Sequence, residues 1–331
     1  MAKTVGLVTG SRSDYGLLEP LIKACWDEFD VKLFVTGSHL SDKFGYTVME
    51  ILDAFKGYRP EIIDALIDFD SPEVVTLSQS LSLVQFATKV KGVDLLVVLG
   101  DRFEIVPPVL AAYNLGIPVV HIQGTDTTLG SLDEGYRGCI RSLATYHFTV
   151  EKYGSLGCVL PELGKTLRHD GVLVVYHPYI GWDEKEFGNI LRATEGFERI
   201  ILGSNADAGG RTISSIGAAN RSETSTFFKS LPRKEYLSYL AGAKFIIGNS
   251  SSGIIEAPSL KVPAINVRGR QAGRQRAASV INCAGDLESI KSAIAATEQR
   301  LGFESLIDFT NPYEKPGTVA NMVKKLKKIL I

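Results

Sequence analysis

Short runs of β-branched and apolar residues, each ended by glycine or a polar residue, alternate along this chain with longer stretches of helical period. In the first half, TVGLVTG, DVKLFVTG, DLLVVLGD, IPVVHIQG and YHFTV read as buried strands. Between them, DYGLLEPLIKACWDE, KFGYTVMEILDAF, TLSQSLSLVQFATKV and VPPVLAAYNLG place apolar residues three and four apart, the spacing of one helix face. That order predicts a parallel sheet with crossover helices. The alternation resumes after about residue 170 with GVLVVYHP, RIILGSNADAGG, AKFIIGNSSSG and VPAINVRGR. The expected fold class is α/β, with two doubly wound Rossmann-like domains, residues 1–168 and 169–331. The boundary falls within GSLGCVLPELGKTLRHDG, and the last helix, TVANMVKKLKKILI, is expected to pack back on the first domain.

Composition narrows the classes. A chain of 331 residues with 45% hydrophobic content suits two packed cores. Its 36 Lys and Arg balance 37 acids, and a net charge of -1 gives no reason to invoke nucleic acid or an anionic membrane. The opening MAKTVGLVTG is too short and glycine-rich for a signal peptide, and no long apolar run follows, so a cytoplasmic location is expected. Cys25, Cys139, Cys158 and Cys283 show no CxxC pair and read as buried small apolar residues. Lys324, Lys325, Lys327 and Lys328 read as a solvated helix face.

Every polar cluster of interest follows a predicted strand, where open α/β sheets bind ligands, and two domains with facing strand ends would make a cleft. In FIIGNSSSGIIEA a strand turns through Gly248, Asn249, Ser250, Ser251, Ser252 and Gly253 into a helix. Small residues there would let a diphosphate approach the free N–H groups of the helix start, although Ser250 or Ser251 also fits a plain N-cap. Glu256, one turn inside, suits ribose hydroxyls. Arg268, Arg270, Arg274 and Arg276 offer countercharge, and Arg12 in TGSRSDYG offers more from the other domain. Neither GxGxxG nor a Walker A sequence is present, which argues against a dinucleotide or a P-loop nucleotide. In VVHIQGTDTTLGSLDE, one strand is followed by Gln123, a string of threonines and the acids Asp126, Asp133 and Glu134, an ending that implies a loop with work to do.

TGSRSDYG, VTGSHLSDKFGYT, VLGDRFE, DE-x-x-R at 133–137, YHP, SNADAGG, GNSSSG-x-x-E and N-x-x-x-RQ-x-GR together resemble the UDP-N-acetylglucosamine 2-epimerases. The resemblance runs from residue 9 to residue 274 and is closest to the hydrolysing branch of sialic-acid-type pathways. It implies the two-domain GT-B type fold and elimination of the nucleoside diphosphate to a 2-acetamidoglucal. Water then adds at C1, and C2 is reprotonated from the other face. By motif it assigns Asp101 and Asp133 as acid/base carboxylates and His177 as the cleft histidine. Asp126, Glu134 and Gln123 complete the catalytic set. Arg12, Arg102, Asn205, Asp207, Asn249, Ser250, Ser251, Gly253, Glu256, Arg270 and Arg274 are implied to hold UDP-N-acetylglucosamine or a related nucleotide sugar. No metal or redox cofactor is implied. A homodimer is, with TLSQSLSLVQFATKV a candidate face, although core packing explains its apolar spacing equally well.

Plainer readings stand beside these. Asp101 fits a turn residue, Asp133 an N-cap, and Arg102 and Arg137 partners for those acids. His121 and His147, within apolar runs, read as core histidines; His39 is open. Two departures from the family pattern bear on chemistry. Gln123 stands where the family has an acid in His-x-Glu, and an amide has no titratable proton near neutrality. Asp126 matches a second family acid that is usually Glu, and Gly138 replaces a common His. Between FTVEKYG and GVLVVYHP only residues 155–170 intervene, which predicts a second domain short of one edge strand. The readings carried forward are a hydrolysing 2-epimerase, a transferase or an epimerase on another nucleotide sugar, and a nucleotide-sugar-binding protein without turnover.

Overall fold

The computed structural model describes residues 3–67, 71–128, 133–163, 171–179, 181, 184–204 and 209–331. They form two compact units: Met1–Asp126, Leu132–Val159 and Lys315–Ile331 make the first, and Thr127–Ser131 with Leu160–Glu314 make the second.

The first unit alternates β1 (Thr4–Thr9), α1 (Arg12–Trp26), β2 (Asp30–Thr36), α2 (Val48–Ala54), β3 (Glu61–Ile63), α3 (Pro72–Lys89), β4 (Leu95–Leu99) and α4 (Val106–Asn114). It continues through β5 (Val119–Ile122), α5 (Asp133–Leu143), β6 (Tyr146–Phe148) and α6 (Val150–Tyr153). Its six strands are all parallel, in the order β3-β2-β1-β4-β5-β6. This is the doubly wound order in which ligand loops gather at the carboxyl ends of the strands. Helices cover both faces, so the central strands are largely apolar, and every residue of LLVVL in β4 is buried. Ser11 caps α1, accepting from Asp14 N at 3.3 Å, which fixes the turn between β1 and α1.

The second unit repeats the plan with β7 (Val172–Val175), α7 (Glu184–Ala193), β8 (Arg199–Leu202), α8 (Gly210–Ala219), β9 (Ser225–Phe228) and α9 (Arg233–Gly242). β10 (Phe245–Gly248), α10 (Ser252–Ile255), β11 (Ala264–Val267), β12 (Val280–Cys283) and α11 (Leu287–Leu301) complete it. The sheet order β12-β11-β10-β7-β8-β9 reproduces the first sheet's topology, again with parallel pairs. Its six strands leave this sheet as complete as the first one despite the short segment before β7. The last helix, α12 (Thr318–Leu330), belongs to the first unit, where Met322, Val323 and Leu326 enter the same core as Leu18, Leu21 and Ile22 of α1. Lys324, Lys327 and Lys328 are exposed and Lys325 half-buried; Lys327 pairs with Glu28 at 2.5 Å.

Besides the edge strand expected to be missing from the second sheet, two further sequence expectations need correction. Of the cysteines only Cys25 is buried; Cys139 is exposed on α5, and Cys158 and Cys283 are half-buried. His147 is exposed as well, because β6 is a three-residue edge strand with one side uncovered.

Candidate functional site

In the first unit the carboxylates gather around one arginine. Gly100, Asp101 and Arg102 follow β4 directly, and α5 brings Arg137 to them with only 1% of the residue exposed. Arg137 Nη2 donates to Asp101 Oδ2 and Nη1 to the backbone oxygen of Asp126, and Nη1 lies 3.6 Å from Glu134 Oε2. Burial alone weakens the guanidinium's hold on its proton, but Asp101, Glu134 and Asp126 more than offset that and keep it charged. Asp133 and Glu134 occupy the first turn of α5, where the helix dipole favours negative charge. The Asp101 and Glu134 carboxylates are thus grouped by one buried cation, which also holds the main chain at Asp126. Arg137 is the partner of Asp101, as the plainer reading of that arginine has it.

His121 lies fully buried in β5, donating from Nε2 to Gly100 O at 2.6 Å. Burial holds its pKa down to about 4. A Cβ at Gly124 would fall 2.1 Å from His121 Nδ1, so the glycine is what lets the loop cross the ring. His39, left open by the sequence, sits between Thr9 Oγ1 (2.9 Å) and Thr47 Oγ1 (2.8 Å), with its pKa lowered by burial to about 3. Gln123 has φ 60° and is buried. Its amide donates to Ser155 Oγ, which also accepts from Gly157 N at 3.1 Å at the start of the 3-10 turn Leu156–Cys158. The glutamine is therefore a strut between the end of β5 and that turn. Arg12, the first residue of α1, is paired with Glu50 of α2, its Nε 3.2 Å from Oε2. Arg102 is paired with Glu104 at 3.0 Å, and both are buried.

The second unit ties its strand ends together through Asn249. Gly248 has φ 142°, and a Cβ there would meet Val175 O at 1.9 Å, so β10 reaches β7 this closely only with glycine. Asn249, fully buried, accepts on Oδ1 from His177 N (2.8 Å) and donates from Nδ2 to His177 O (2.7 Å). Its own carbonyl accepts from Gln271 Nε2 (2.9 Å) and Arg270 Nη1 (3.4 Å). The loops after β7, β10 and β11 are held as one piece, and His177 Nδ1 extends the set to Ser204 beyond β8 at 3.2 Å. Ser250 Oγ accepts from Ser252 N (3.3 Å), and Ser252 Oγ from Tyr236 (2.6 Å). Gly253 is buried on α10, which is four residues long with Ser251 at its N-cap.

Several sequence expectations meet other partners here. Glu256 is paired with Arg233 of α9 at 2.5 Å. Arg268 turns to buried Glu186 of α7 (2.9 Å), which also accepts from Tyr176 (2.9 Å) and Tyr179 (2.8 Å). Arg276 bonds Asn282 and the carbonyl of Arg274. Of the four arginines, Arg268 and Arg276 are committed to these internal contacts, while buried Arg270 and half-buried Arg274 lie with the Asn249 segment or next to it in the loop after β11. Asn205 and Asp207 lie outside the described residues. Gln271, Ser155, Glu104 and Glu186 escaped the sequence reading. Gln271, within RQ-x-GR, and Glu104, within VLGDRFE and two residues from its partner Arg102, carried a local signal, whereas Ser155 and Glu186 are defined by distant partners. Among the described residues no group of His, Cys, Asp or Glu is arranged to hold a metal, and no helix is long and apolar enough to cross a membrane.

The comparisons agree with this plan. The family described as UDP-N-acetylglucosamine 2-epimerase matches residues 23–154 and 160–327. The polysialic acid biosynthesis protein P7 of Escherichia coli is 30% identical over 370 aligned residues, covering 99% of this chain and 94% of the relative. The GDP/UDP-N,N'-diacetylbacillosamine 2-epimerase (hydrolyzing) of Campylobacter jejuni is 29% identical, covering 85% of this chain and 84% of that protein. In fold, the chain is similar to the UDP-GlcNAc 2-epimerase of Methanocaldococcus jannaschii solved with UDP-GlcNAc and UDP. There the TM-score is 0.77 at 17% identity, over 98% of this chain and 99% of that one. The matched residues span both units and carry the carboxylate cluster as well as the Asn249 staple, and the chain belongs to the UDP-N-acetylglucosamine 2-epimerase family.

Proposed function

We propose that the protein is a hydrolysing nucleotide-sugar 2-epimerase that converts UDP-N-acetylglucosamine, or a close relative of it, to the free 2-epimeric sugar and UDP. The observation that carries this reading is the gathering of the Asp101 and Glu134 carboxylates and of the Asp126 main chain on buried Arg137, with Asp133 in the same helical turn as Glu134. A carboxylate of this set removes the proton at C2 while the C1–O bond breaks and UDP leaves with the electron pair. The resulting 2-acetamidoglucal adds water at C1 and a proton at C2 from the opposite face. Asp101 and Asp133 are the acid/base pair, Asp126 and Glu134 support them, and Arg137 fixes Asp101 in place. The nucleotide contacts come from Arg102 in the loop after β4 and from Asn249, Ser250, Ser251, Arg270 and Arg274, with His177 fixed by Asn249.

The hydrolysing form is favoured by the relatives named as hydrolysing in Campylobacter jejuni and Legionella pneumophila. Both of those names specify N,N'-diacetylbacillosamine, which makes a sugar nucleotide with a 4-acetamido group the second reading. The test is incubation with each nucleotide sugar in deuterated water, following UDP release and the free sugar by NMR. We expect a free 2-epimer carrying deuterium at C2, and a fall of about 10²–10⁴-fold in turnover for Asp101→Asn. Release of UDP that requires an acceptor sugar would identify a transferase instead. A homodimer is part of this reading, and exposed Leu77, Leu81 and Val84 on α3 are its proposed face.

A further inference from the structure

Glu104 is buried in the 3-10 turn Phe103–Ile105 just after β4. Its Oε1 accepts from Arg102 Nη2 at 3.0 Å, whereas Oε2 is buried without a hydrogen-bond partner among the described residues, as is Asp14 Oδ2 on α1. The backbone makes room for this arrangement. A Cβ at Gly10 would lie 3.0 Å from Glu104 Cβ and 3.7 Å from Asp14 Oδ2, and one at Gly37 would lie 2.9 Å from Glu104 Cγ. Two acids therefore share one niche at the carboxyl ends of β1, β2 and β4 with one guanidinium, and a single positive charge offsets only one of them.

Among the described residues the groups facing Glu104 are few. Asp14 comes from α1 and Arg102 from its own loop, and Asp101, paired with Arg137 of α5, adds charge beside Asp14. The end of β2 and helix α3 present Thr36, Ser78, Gln79 and Ser82, and α4 presents Pro107, none of them charged. Burial pushes Glu104 up to about 7, with Arg102 pulling it back and Asp14 pushing it further up. Burial likewise raises Asp14 to about 6.

We propose that Glu104 couples nucleotide binding to proton uptake. At rest its carboxylate holds Arg102; when a diphosphate draws on the guanidinium's charge, Glu104 takes one proton from solvent and stays neutral. Glu104 acts through Arg102 and is a positioning residue, and the proposal rests on the nucleotide-sugar reading above. Ionised Glu104 competes with the diphosphate for Arg102, so affinity is highest below about pH 7 and declines above it, by up to about tenfold per pH unit.

Titration of the full chain with UDP by calorimetry, from about pH 6 to 9 in two buffers of different ionisation heat, tests this. The wild type is expected to take up protons on binding above about pH 7, in excess of those exchanged by Glu104→Gln, a neutral isostere. That variant should bind UDP at about pH 8 up to about tenfold more tightly than the wild type. Asp14→Asn, which removes the neighbouring negative charge, should move the decline in affinity to a lower pH. Equal proton exchange and equal pH dependence in the wild type and Glu104→Gln would overturn the proposal while leaving UDP binding intact. Failure to bind UDP at any pH would overturn the nucleotide-sugar reading along with it. If Glu104→Gln does not fold, an unshifted curve for Asp14→Asn is itself the overturning result.

Discussion

Gln123 takes a backbone conformation that most side chains avoid, with φ 60°, and spends its amide on Ser155. Replacement by glutamate removes the donor from a buried contact, so Gln123→Glu should cost about 1–3 kcal/mol of stability without raising turnover. Urea unfolding and kcat measured together check this, and a large gain in kcat would mark the native site as degraded. His39 and His121 set a pH dependence. Burial lowers His39 to about 3 and His121 to about 4, from 6.5 in an unfolded chain, so the unfolded chain binds more protons below that value. Their stabilising contribution is fully present above about pH 6.5 and is lost as pH falls, by about 1.4 kcal/mol per unit for each histidine down to its folded pKa. Denaturation midpoints at about pH 7 and pH 5 should show it, with a shallower slope for His39→Gln if that variant folds. The sequence displayed the acids and arginines clearly but not their pairing. Glu50, Glu186 and Arg233 lie 38, 82 and 23 positions from Arg12, Arg268 and Glu256, so each charge read alone looked available to a ligand.

Strands and helices were legible in proportion to how completely they are buried. The central strands are continuous apolar runs, whereas β3 (EII), β9 (STFF) and β12 (VINC) are short, include exposed or half-exposed positions and went unread. β3, β9 and β12 are also edge strands, where half of the pairing is absent and so is half of the pattern. The loop after β10 was legible as a ligand loop from its small residues, but the staple within it was not, because Asn249 serves the backbone of His177, 72 positions away. Asn249→Ala would leave two buried backbone groups unpaired, at about 1–3 kcal/mol each, and free the loops after β7 and β11 from each other. The expected result is a lower unfolding midpoint together with a KM for the nucleotide sugar that rises more than kcat falls.

Both units follow one strand order, and their separate cores make each a folding unit of ordinary size. One departure from sequence order is α12, which inserts Met322, Val323 and Leu326 into the first unit's core. Met322→Ala should cost about 2–5 kcal/mol, borne by the first unit. Hydrogen exchange would locate the loss on α1 and β1 and leave β7 and β10 protected. During synthesis the ribosome must deliver the whole of Leu160–Glu314 before the segment that completes the first core exists. The nascent first unit therefore waits with an open apolar flank along α1 while its neighbour folds, and that interval is when chaperones or aggregation would compete for it.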